Sequence, residues 1–205
     1  MTDRRPAMSD IRLAGRADRA ALAAMLARAF ADDPAFKYIF PNAADRAKRL
    51  PRLFSLMIED DAGAGLQLVT PGIEAATLWR GPGHAATGTF ALLRQAIPLL
   101  HALGFATARA LRVANAIEAH FPGQPFWYLH IAGCAPEKQG RGFGGAVIRA
   151  GLERAAGRLP AYLETATESN LGLYQRFGFA VTDEWRVGTD GPRFWSMLRA
   201  KDDGG

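Results

Sequence analysis

The strongest constraint on the fold is an almost unbroken apolar and aromatic run, Phe126 to Cys134, which leads through Ala135-Pro136-Glu137-Lys138 into the glycine-rich stretch Gln139 to Gly145. Such a run reads as a central strand buried on both faces, with His130 as the polar exception. A helical pattern follows, with Phe143, Val147, Ala150 and Arg154 on one side, and Pro160 closes it. Ala161 to Thr165 is then a short strand. Strand, glycine loop, helix and strand form a right-handed βαβ unit, which makes the two strands parallel.

Around this unit the chain alternates helical and strand patterns. Ile11 to Leu13 is a short strand, and Asp18 is placed to cap a helix carrying Leu22, Met25 and Leu26. That helix is expected to end near Asp32 and Asp33, because Pro34 disfavours helical geometry in the residue before it. Phe36, Tyr38, Ile39 and Phe40 form an aromatic cluster ahead of a helix over Asp45 to Glu59. Leu66 to Thr70 and Glu74 to Trp79 read as a hairpin, and Gly88 to Leu103 and Thr107 to Ala119 as helices. Asn170 to Phe177 is a short helix with Gly178 as its left-handed cap. Phe179 to Val187 and Arg193 to Leu198 close the chain as a strand pair. The fold class is α/β, with a mixed sheet flanked by helices.

At 205 residues, 49% of them hydrophobic, the chain suits one domain over 11–200 between a loose arm at 1–10 and a tail at 201–205. The lone Cys134 excludes an intrachain disulfide framework, which makes a cytoplasmic setting the expectation. Neither a signal-like start nor a membrane span is expected. The net charge of +5 admits a phosphate-rich ligand or a nucleic acid. Its arginines are scattered, with no zinc pattern, basic recognition helix or aromatic RNA signature, which argues against nucleic acid.

Glycines between a buried strand and a helix let the backbone approach a phosphate at the helix N-terminus. Gly140, Gly142 and Gly145 also satisfy the dinucleotide fingerprint, with Glu164 ending the next strand where a ribose would bind. Two features oppose a dinucleotide fold: four residues separate strand from glycines, and too little chain follows for a second mononucleotide half. A loop that serves only tight strand-to-helix packing is the other reading.

Three linked motifs decide the matter: Gln139, Gly142 and Gly144 in the loop, Ala132 to Pro136 before it, and Asn170, Tyr174 and Arg176 to Phe179 after it. In this order and spacing the chain resembles the GNAT superfamily of acyl-CoA-dependent N-acyltransferases, closely over Phe126 to Phe179. A more distant similarity, through Leu163 to Thr165 and the Tyr174 stretch, is to puromycin N-acetyltransferase-like small-molecule enzymes. The resemblance implies that the two parallel strands splay around acetyl-CoA. Gly133, Cys134 and Ala135 would bond the pantetheine, and Gly140, Arg141, Gly142, Phe143, Gly144 and Gly145 the pyrophosphate, with Asn170 touching pantetheine.

It also implies direct attack by an amine in a ternary complex, with Tyr174 as the acid for the leaving thiolate. A phenol, with a pKa near 10 against about 8.5 for a thiol, stays protonated and can donate. The base that deprotonates the amine is His130, Glu164 or a water chain. Cys134 has no base beside it in sequence and reads as a small strand residue rather than a nucleophile. Phe36, Tyr38, Trp79 and His84, with Trp185 and Trp195, are candidates to line the acceptor pocket. The expected partner is a small-molecule amine, with no metal, membrane or nucleic acid, and a homodimer is admitted. A protein amino terminus or lysine as acceptor, and a non-catalytic acyl-CoA-binding module, remain the alternatives.

Overall fold

The structure is a computed structural model that describes Ala7 and residues 10–86, 97–155 and 159–201. Among these residues a seven-stranded mixed sheet runs in the order β1-β2-β3-β4-β5-β7-β6. Its strands are β1 (Arg12–Leu13), β2 (Gly65–Val69), β3 (Ala75–Arg80), β4 (Trp127–Cys134), β5 (Ala161–Thr165), β6 (Ala180–Arg186) and β7 (Arg193–Arg199). The helices are α1 (Arg19–Ala29), α2 (Pro34–Ile39), α3 (Ala43–Asp61), α4 (Thr107–Ala119), α5 (Phe143–Ala155) and α6 (Leu171–Gln175), with residues 97–103 also helical. Most of the arm expected at 1–10, the start of the helix expected from Gly88, and the tail beyond 201 lie outside the described residues. No helix among the described residues is long and apolar enough to cross a membrane.

Helices cover both faces. Leu22 and Leu26 of α1, Leu50 and Phe54 of α3 and Val113 of α4 share one core with Leu78 and Ile131 of the sheet. On the other face α5 contributes Ile148, packed with Trp79, Leu129, Leu163 and Tyr174. Gly151 is what lets α5 lie so close: a Cβ there would fall 2.2 Å from the Trp79 indole nitrogen.

Two local departures place the site. β4 and β5 pair in parallel only at Trp127–Ala161 and Tyr128–Tyr162, so beyond Tyr128 the two strands separate. Opposite β3 the register jumps from Leu78–Ile131 to Trp79–Leu129, which leaves His130 as the extra residue of a β-bulge. The bulge sends Ile131 toward α1 and α3 while Leu129 packs with α5. β4 is central as expected, but its C-terminal half is only half-buried, because β5 has left its side.

One expected cap and one expected helix end differ. Asp18 precedes α1 without capping it; its carboxylate instead accepts from Gly15 N–H (2.7 Å) and the Arg12 guanidinium (2.6 Å). α1 ends at Ala29, before the Asp32 and Asp33 expected, and Pro34 acts on the next helix. Asp33 accepts from Ala35 N–H (2.9 Å) and Phe36 N–H (3.2 Å), and Pro34 at the first turn opens α2, so the aromatic cluster is helical.

Candidate functional site

The gap between β4 and β5 continues into a cavity of about 410 Å3 that reaches α2, α3, α4 and the helical residues 97–103. Tyr174, Asn170, Glu164, His130 and Phe36 all line it. Tyr38, Trp79 and His84 do not. Trp79 is fully buried between β3 and α5, Tyr38 packs against the core of α1 and α3, and His84 sits exposed in a loop. Trp185 stacks on Phe194 with ring centroids 4.7 Å apart, and the Trp195 indole donates to Glu184 (3.1 Å), so neither reaches the cavity; Phe194 does.

The glycine loop lies at the C-terminal end of β4. Gly140 and Gly142 have φ of +75° and +86°, the left-handed region where a side chain is strained. Gln139 donates its amide to the Cys134 carbonyl (3.3 Å), which ties the loop back to the strand. Phe143 is buried among Val147 and Ala150, so of this residue only the backbone is available to a ligand. A Cβ on Gly140 would meet no protein atom within 4 Å, and one on Gly144 would lie 3.8 Å from the Cys134 Cβ. The first turn of α5 therefore presents backbone N–H groups beside open space, the arrangement that binds phosphate oxygens, with exposed Arg141 next to it. These residues fit a diphosphate. Burial pushes the Cys134 thiol up, against a hydrogen bond from Gly144, which suits a strand residue and not a thiolate nucleophile.

Asn170 precedes α6, and its side chain makes no capping hydrogen bond. The amide is thus left to face the cavity. Tyr174 is 7% exposed and packs edge-on against Phe179. Burial, then the Glu164 and Asp33 charges, raise its phenol further above the ordinary value.

Glu164 accepts a short hydrogen bond from the Tyr128 hydroxyl through Oε1, while its buried Oε2 has no partner among the described residues. Burial pushes the carboxyl up to about 8, although the Tyr128 bond and the Arg80 charge oppose it. A raised carboxyl stabilises the fold fully below its unfolded pKa and loses that contribution as pH rises through about 8. Glu164→Gln is accordingly expected to match wild type in urea stability near pH 5 and to exceed it increasingly toward pH 9, by at most about 5 kcal/mol. A constant difference across that range would show that Glu164 does not titrate there.

A cluster that sequence reasoning did not find completes the wall. Asp61, the last residue of α3, is fully buried; its Oδ1 accepts from Arg80 Nε (2.6 Å) and its Oδ2 lies 2.8 Å from His130 Nδ1. Arg80 also reaches Asp60 (3.0 Å) and the Ala85 carbonyl (3.1 Å). Burial alone would raise the Asp61 carboxyl, but His130 and Arg80 outweigh it and hold it below the ordinary value. A signal was present: two acids in the last turn of a helix oppose its dipole and need partners elsewhere.

The comparisons agree with this geometry. Residues 101–179, which include the glycine loop and the Tyr174 helix, match the family model of the acetyltransferase (GNAT) family. An uncharacterised N-acetyltransferase of Schizosaccharomyces pombe is 27% identical over 77% of this chain and 68% of its own. A Corynebacterium glutamicum structure named as histone acetyltransferase HPA2 and related acetyltransferase is 27% identical, with a TM-score of 0.74 over 95% of this chain and 97% of that one. Arylalkylamine N-acetyltransferase 2 of Aedes aegypti shares the fold at 12% identity, with a TM-score of 0.56 over 93% of this chain and 97% of its own. With the splayed strands, the loop and the family match falling on the same residues, sequence and fold together support membership of the GNAT superfamily, a family of acetyl-CoA-dependent acyltransferases.

Proposed function

We propose that this chain transfers an acetyl group from acetyl-CoA to a primary amine of a small molecule, with both substrates bound at once. The observation that carries this reading is one cavity that joins the β4–β5 gap to Tyr174 on one wall and to Glu164 and His130 on another. Its volume suits a small ligand, and its lining is mostly apolar, as acceptor pockets are. α2, α4 and residues 97–103 all contribute to its wall, which favours a compact acceptor over an extended peptide. The Aedes aegypti relative in fold is named for arylalkylamines, and Phe36, Phe121 and Phe194 offer aromatic surface for such a body.

Acetyl-CoA supplies the activated thioester carbonyl. Backbone N–H groups from Gly140 to Gly145, with Arg141, hold its diphosphate. Gly133 and Cys134, at the end of β4 that β5 has left, bond its pantetheine, and Asn170 contacts it from across the gap; Ala135, expected to join them, is buried with its N–H given to the Glu74 carbonyl (2.8 Å) and its own carbonyl taken by Lys138 N–H (2.8 Å). Glu164 Oε2, buried and without a partner among the described residues, anchors the incoming ammonium. His130 removes the proton that frees the amine lone pair. Tyr174 donates a proton to the departing sulfur, a role for which a phenol held protonated is suited.

The test is a CoA-release assay with arylalkylamines, polyamines and a lysine peptide. Small amines are expected to turn over and the peptide to be at least about 100-fold poorer in kcat/KM. Turnover of the peptide alone would make this a protein acetyltransferase; tight acetyl-CoA binding with no turnover of any amine would make it a binding module.

A further inference from the structure

We infer that Asp61 is a positioning residue for the amine deprotonation, acting through His130 rather than on the substrate. This rests on the acetyl-transfer reading, which needs a base for the ammonium. His130 occupies the bulge of β4, where the extra residue is displaced from the ladder and lines the cavity. Its Nδ1 lies 2.8 Å from Asp61 Oδ2. A carboxylate accepts and cannot donate, so in the neutral imidazole the proton sits on Nδ1 and the lone pair on Nε2. The ring then has one acceptor, the nitrogen turned away from Asp61.

The rest of the cluster keeps Asp61 in that role. Its other oxygen is bound by Arg80, and Arg80 in turn reaches Asp60, so the carboxylate can neither swing away nor take up the proton cheaply. Before proton transfer Asp60, Asp61 and Arg80 sum to one negative charge; an imidazolium at His130 brings the cluster to zero. In the step, an ammonium N–H bond breaks, its electron pair stays on nitrogen for attack, and the proton moves to Nε2. The other groups facing His130 are Tyr128, whose ring centroid is 5.3 Å away, and through it Glu164. Tyr128 is a phenol held protonated by burial and by Glu164. Asp61 alone among these carboxylates touches the imidazole.

Nitrogen-15 NMR of the wild-type protein tests the placement without any acceptor, with the His130 signals assigned by their loss in His130→Gln. The neutral ring is expected as the Nδ1–H tautomer, and an Nε2–H tautomer would overturn the inference. For the role, Asp61→Asn is expected to lower kcat about 100-fold, with acetyl-CoA affinity within about twofold, yet to cost less than about threefold more in a His130→Gln background. Equal losses in both backgrounds would mean a merely structural Asp61 and sink the proposal. Because the tautomer is read without turnover, failure of the acetyl-transfer reading would appear in the amine assay and failure of this one in the nitrogen shifts.

Discussion

Tyr174→Phe is expected to lower kcat for acetyl transfer by about 100-fold or more while acetyl-CoA affinity stays within about twofold. The substitution removes one oxygen and keeps the ring that packs on Phe179, so fold and pocket are retained. What is lost is a proton donor at the wall of the cavity. Since burial and the Glu164 and Asp33 charges raise its pKa, Tyr174 remains protonated to beyond the ordinary phenol value of about 10. No alkaline loss of rate from this group is therefore expected below that pH. Steady-state kinetics with saturating acceptor, beside calorimetric titration of acetyl-CoA, separates the two quantities; an unchanged kcat would remove Tyr174 from the chemistry.

Arg80→Ala has the largest expected effect on stability, about 3–5 kcal/mol at neutral pH, because it strands a fully buried carboxylate beside a second acid. The pair itself is not the source of that figure: removing one partner leaves Asp61 charged and under-solvated. Asp61 is held below its ordinary pKa, so its contribution is present above the unfolded value of about 4 and lost as pH falls through the folded one. The deficit of Arg80→Ala should accordingly shrink in acid, where Asp61 is protonated in both proteins. Urea denaturation at neutral and acidic pH reads both. A deficit below about 1 kcal/mol at neutral pH would mean that water reaches Asp61.

Where chemistry is local, the sequence was legible. The helix at Thr107–Ala119 and the strand at Ala161–Thr165 fall where pattern and punctuation put them, and Gly178 takes its left-handed cap with φ +82°. The glycine loop was readable because close backbone approach requires that residue type. Pro34 misled, since a residue expected to end one helix instead opens the next once Asp33 caps it, while α1 has already stopped at Ala29. For Trp79 the sequence admits core packing as well as the pocket, and the side it takes depends on a register that no local pattern encodes. Asp61 and Arg80 were missed because each reads as surface charge at the end of an element. Only pairing across the fold, with His130 brought between them by the bulge, turns them into an internal network.

The bulge at His130 has a consequence for how this protein can vary. It is a phase shift in the alternation of the strand: residues before it and after it follow opposite parity, and Gly133 beyond it presents its bare Cα to Leu26 of α1 and to Phe30, which follows that helix. Deleting His130 would restore simple alternation with Leu129 still turned to α5 and Ile131 and Gly133 to α1, so the layers would keep their side chains while the cavity lost its imidazole. Substitution at 130 leaves the phase intact. The extra residue is therefore carried for the group it sets against Asp61 and in the cavity, and not for the packing that holds the sheet to its helices.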